Sequence, residues 1–160
     1  MGLANRGEVS FELDEPPAAA LARVVAALDE RGVRTAHPGP CAWGLRFGNR
    51  GAQFIALGDL SSDAFLFLFG RALRRVPAKL VEPTDGEARV APSDTPGHSV
   101  VTVSSSPLAD RYAARFLLEQ VEEAVDVWRT QSLVGWVGDP VAPDASAWLA
   151  RHKERKRLAR

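Results

Sequence analysis

Residues 99–128, SVVTVSSSPLADRYAARFLLEQVEEAVDVW, decide the fold. Ser99 to Ser105 is β-branched and reads as a strand. Ser106-Pro107 follows as cap and first position of a helix. Phe116, Leu117, Val121, Ala124, Val125 and Trp128 recur at helical spacing, with Glu119, Glu122, Glu123 and Asp126 outside that stripe. The spacing predicts a helix over 107–130, ~36 Å long at 1.5 Å per residue. One apolar stripe of that length calls for a sheet to pack on.

Working outward toward the N-terminus, Ser93-Asp94-Thr95-Pro96-Gly97 is loop. Pro83-Thr84-Asp85-Gly86 reads as a turn between strands at Ala78–Val81 and Ala88–Val90. Cys41, Trp43, Leu45 and Phe47 alternate with Ala42, Gly44 and Arg46, which is a strand. Asn49-Arg50-Gly51 turns it toward a second strand at 52–57. His37-Pro38-Gly39-Pro40 is loop. At the start of the chain, Val9, Phe11 and Leu13 alternate with Ser10, Glu12 and Asp14 as a half-buried strand. Pro16-Pro17 then opens a helix over 16–31, with Leu21, Val24, Val25 and Leu28 as its stripe and Gly32 as its stop.

The run SSDAFLFLFGRALRRVP, residues 61–77, supports two readings. As a helix, Ser61 or Ser62 caps it, Asp63 lies in its first turn, and Arg71, Arg74 and Arg75 crowd its end before Pro77. As a strand, Phe65, Phe67 and Phe69 share a side, with Leu66 and Leu68 opposite. The cap and the charge polarity favour the helix. Beyond Gln131, Gly135, Gly138, Asp139-Pro140 and Pro143-Asp144 break regular structure, and Trp136 folds back on the domain. Ser146 to Arg160 is a short basic helix. The domain limits are therefore 1–138, with 139–160 as a C-terminal extension.

Composition restricts function. The chain has 160 residues, 46% apolar and 25% charged, with twenty basic residues against twenty acidic ones. That fits one globular domain with no strong field toward nucleic acid. Cys41 is the only cysteine, no secretory h-region is present, and no apolar run reaches the ~20 residues of a spanning helix. A cytoplasmic protein is expected.

Catalytic signals are weak. His37, His98 and His152 have no second ligand at metal-like spacing, so neither a metal nor another cofactor is expected. Cys41 would need His37 or His98 beside it to act as a nucleophile. Its place in the Trp43–Leu45 alternation reads instead as a small buried hydrophobe. Gly44, Gly48 and Gly51 match no phosphate loop. Glu87, Asp59, Asp63 and Asp94 are scattered carboxylates that nothing in the sequence pairs. No catalytic residue is assigned.

The opening EVSFELD followed by PP and a helix, the middle strands, and the closing SVVTVSSSPLADRYAARFLLEQVEEAVDVW resemble the START/polyketide-cyclase-like (SRPBCC, helix-grip) superfamily over about residues 8–130. That resemblance implies a curved antiparallel sheet gripping a long C-terminal helix, with an apolar cavity between them. It also implies binding of a hydrophobic small molecule or lipid without catalysis. Phe11, Trp43, Phe47, Phe54, Phe116 and Trp128 are then walls of the cavity or the plug that fills it. Arg46, Tyr112 or His98 would orient a polar end of the ligand. The chain is also similar to small α/β secretion-chaperone-like folds. That likeness implies a module that binds protein segments. The apolar run and its basic rim suit a protein- or membrane-surface contact over residues 64–75, with Phe65, Phe67, Phe69, Arg71, Arg74 and Arg75 at the contact. The fold expected from all of this is α+β.

Overall fold

Period-2 alternation at both ends of the chain feeds one sheet. The computed structural model describes residues 6–36, 39, 41–48 and 82–160. These run as β1 (Glu8–Leu13), α1 (Pro17–Glu30), β2 (Arg34–Ala36), β3 (Ala42–Phe47), β4 (Thr84–Pro92), β5 (Ser99–Ser105), α2 (Arg111–Thr130), β6 (Val134–Val137) and α3 (Ala145–Leu158). The strands form a six-stranded open sheet in the order β2-β3-β4-β5-β1-β6, with every neighbouring pair antiparallel. The fold is α+β, as the sequence pattern requires.

The sheet has two unlike faces, because alternate side chains point to opposite sides of a strand. One face carries Phe11, Leu13, Leu45, Phe47, Ala88, Val101 and Val103, all buried. Helices α1 and α2 cover it together. The stripes read from the sequence are the ones buried: Leu21, Val24, Val25 and Leu28 on α1, and Phe116, Leu117, Val121, Ala124, Val125 and Trp128 on α2. Helix α1 stops where its glycine allows. Gly32 takes φ +83, and the Val33 N–H reaches back to the Leu28 carbonyl at 2.9 Å.

Four readings are corrected. Helix α2 begins at Arg111, not at Pro107, because Asp110 is the cap: its Oδ1 accepts the Ala113 N–H at 2.8 Å. Ser106 instead closes a separate turn, taking the Leu108 N–H on its hydroxyl and the Ala109 N–H on its carbonyl. The supposed turn at Thr84-Asp85-Gly86 is the first part of β4, paired with Phe47, Arg46 and Leu45 of β3. Gly86 suits that ladder, since a Cβ there would stand 2.9 Å from the Ser104 carbonyl oxygen and 3.3 Å from the Phe47 ring. Residues after Gln131 do not lack regular structure: β6 takes the outer edge of β1, with a register shift between Phe11 and Leu13 accommodating Gly135 and Trp136. Cys41 is exposed rather than buried, since it precedes β3 in a bend and only its carbonyl engages the sheet, accepting the Val90 N–H at 2.8 Å.

The 52–57 strand, the 61–77 run, His37, Phe54, Phe65, Phe67, Phe69, Arg71, Arg74 and Arg75 lie outside the described residues. Among the described residues, β3 pairs with β2 and β4. No described helix is long and apolar enough to cross a membrane.

Candidate functional site

Between the sheet and its two helices, four of the described aromatic candidates pack in pairs. Phe11 and Trp128 meet with ring centroids 6.1 Å apart, and Phe47 stacks on Phe116 at 5.8 Å. All four are buried in one continuous apolar cluster, and Trp43 and Tyr112 pack against its margin. Trp43 donates its indole N–H to the Gly39 carbonyl at 3.0 Å.

The polar candidates are not gathered there. Arg46 extends from the opposite face of the sheet to Asp85, with Nε 3.2 Å from Oδ1. The Tyr112 hydroxyl accepts from Arg111 Nη2 at 2.9 Å at the surface. His98 stands at the β4–β5 turn, its Nε2 3.1 Å from Asp14 Oδ1 and its Nδ1 3.4 Å from Glu12 Oε1. Ser93 of the same turn donates its hydroxyl to the Glu12 carboxylate. No group of three His, Cys, Asp or Glu side chains among the described residues is arranged to hold a metal ion.

The second face of the sheet holds what the sequence did not reveal. Helix α3 begins at Asp144, whose side chain accepts the Ala147 N–H at 2.9 Å, and crosses this face. Residues 148, 151, 152 and 155 share one side of a helix at i, i+3, i+4 and i+7 spacing. Trp148 is 1% exposed and gives its indole N–H to Ser104 Oγ at 3.1 Å. Arg151 Nε bonds Glu87 Oε1 at 2.8 Å, and Arg155 Nη1 binds the other oxygen of the same carboxylate. Glu87 itself is 0% exposed. Arg89 joins the cluster, with Nε 3.1 Å from Glu87 Oε1 and Nη2 donating to Glu8 Oε2 at 3.0 Å. Three guanidinium groups thus compensate one carboxylate that burial would otherwise penalise heavily. Gly44 instead answers to β2, since a Cβ there would stand 2.7 Å from the Ala36 carbonyl oxygen.

A pocket of about 380 Å³ opens where the start of α3 passes the start of β4 and the β5–α2 loop. Trp148, Leu149, Leu108 and Pro83 give it apolar walls. Glu82, Asp85 and Asp110 supply carboxylates, and His152 stacks on Trp148 at 4.9 Å while approaching Asp85 Oδ2 to 3.5 Å. Leu108 is 82% exposed, an apolar lip on the opening. None of the described cavity candidates named from the sequence lines this pocket. One signal was available in the sequence: Trp148, Arg151 and Arg155 mark a single helix side whose cations match the strand carboxylate Glu87.

No protein-family model, curated protein or solved structure matches the chain.

Proposed function

We propose that the protein is a non-catalytic, cytoplasmic binding module that takes a small molecule with an apolar body and a cationic end. The observation that carries this reading is the pocket of about 380 Å³ under the start of α3. Its size falls in the range of small-molecule sites, and it combines an indole and two leucines with a carboxylate rim. Kinship with helix-grip proteins enters the reading only through α2 lying on the sheet, and the ligand sits on the other face from the one that kinship implies. Apolar burial would supply the affinity, at about 25 cal/mol per Å² before ordering costs. The carboxylates would select the sign of the charged end.

A titration of the labelled protein with arylalkylamines and with the matching arylalkyl carboxylates tests the proposal. The amines are expected to shift the Trp148 indole N–H and the amides of 82–85 and 106–110, and the carboxylates to leave them in place. Amines that leave these signals unmoved would end the reading.

A second reading, a protein-binding module, draws on the outer side of β6. Trp136, Val137 and Val141 are 44%, 36% and 50% exposed along that sheet edge, where an added strand would cover them.

A further inference from the structure

Helix α3 is attached differently from α1 and α2. Its backbone stands off from the strands, and long side chains span the gap. Apart from Trp148, the side that meets the sheet is polar: Arg151, His152 and Arg155. Both arginines converge on Glu87. The match is incomplete, because Arg155 Nε and Nη2 are buried and find no hydrogen-bond acceptor among the described residues. Such donors lose hydration on docking and regain it on release. The sheet face that α3 crosses is itself polar, with Glu87 and Ser104 buried beneath the helix. Ser10 and Thr102 of that face already bond each other through their hydroxyls at 2.8 Å. A dock made of one indole and one carboxylate over a polar floor opens at lower cost than the apolar face under α1 and α2.

We propose that α3 is a releasable roof over the pocket, latched to the sheet by Glu87. Trp148, Leu149 and His152, all on α3, form one side of the pocket, so the pocket is complete only while the latch is closed. Release takes the pocket apart, and an occupied pocket holds the roof down, because the ligand binds the closed form alone. The purpose of the roof rests on the pocket reading. Its motion does not, and it is tested separately.

Amide hydrogen exchange of the full chain, wild type against Glu87→Gln, measures the latch. Residues 145–158 are expected to exchange at least tenfold faster in the variant, about 1.4 kcal/mol of opening free energy per tenfold. Residues 99–105 and 111–130 keep wild-type rates. If Glu87→Gln loosens the whole sheet, the double variant Arg151→Gln/Arg155→Gln decides, because it alters only the helix side of the contact. Selective acceleration of 145–158 in that variant supports the latch. Unchanged exchange there, or acceleration shared equally with 99–105 and 111–130, overturns it. The two proposals separate in the same samples. Selective α3 opening without any amine shift keeps the roof and removes the pocket reading, whereas amine shifts without selective opening keep the pocket and remove the roof.

Discussion

Phe11→Ala weighs the space between the sheet and α2. Phe11 is 0% exposed, stands opposite Val101 in the β1–β5 ladder, and lies 6.1 Å from the Trp128 ring. In a filled interior the truncation forfeits the transfer free energy of the ring and leaves a void that rigid neighbours close only in part. Both losses together come to about 3–5 kcal/mol. A phenylalanine lining an open chamber would already have much of its ring unpacked, and the loss would fall to about 1.5 kcal/mol or less. Urea unfolding followed by far-UV circular dichroism separates the two. With a slope of roughly 2 kcal/mol/M, the midpoint is expected to fall by about 1.5–2.5 M at unchanged slope. The melting temperature should fall by about 10 °C, since 1 kcal/mol moves a domain of this size by roughly 2–4 °C. A midpoint shift under about 0.7 M would refute the packed-interior argument.

Two further outcomes follow from local geometry. Asp110→Ala removes the acceptor of the Ala113 N–H and should cost about 1 kcal/mol, while Asp110→Asn retains most of the cap and Ser106→Ala costs less than Asp110→Ala; thermal melts of the three variants check the order, and an equal loss for Ser106 would return the helix start to the earlier position. The hydrogen bonds from Arg157 hold the Glu154 carboxyl below its usual range on the solvent side of α3. A carboxyl depressed in the folded state contributes stability that is present above its unfolded pKa and is lost as pH falls through the folded one. A carboxyl-detected NMR titration should therefore place the Glu154 midpoint lower in the wild type than in Arg157→Gln, and coincident midpoints would contradict the pairing.

The sequence exposed the parts of the fold that rest on one-sided apolar spacing. The stripes of α1 and α2 and the alternation of β1 and β5 are legible because a buried face imposes a strict period. Boundaries were less legible where two residues compete for the same duty. Ser106-Pro107 and Asp110 both look like the start of a helix, and only the bond to Ala113 decides between them. Thr84-Asp85-Gly86 has turn composition, yet the open edge of β3 draws it into a strand. Cys41 followed the alternation of Trp43 and Leu45 in the sequence but sits one residue before the strand begins, where alternation no longer fixes exposure.

The candidate site was illegible for a different reason. Its organising residue, Glu87, is separated from Arg151 and Arg155 by more than sixty positions, and a carboxylate in a strand carries no sign of what will cover it. A buried carboxylate nonetheless demands cations once the sheet has formed, and the chain supplies them on one side of α3. The basic residues near the C-terminus therefore divide by helical side. Arg151 and Arg155 face inward to Glu87, while Lys153, Lys156 and Arg160 remain exposed. The inward pair fixes where α3 crosses the sheet. That crossing point in turn places Trp148, Leu149 and His152 against the β5–α2 loop and creates the pocket. Charge compensation inside the fold and the candidate ligand site are consequently one arrangement, so any substitution that repositions α3 should change both together.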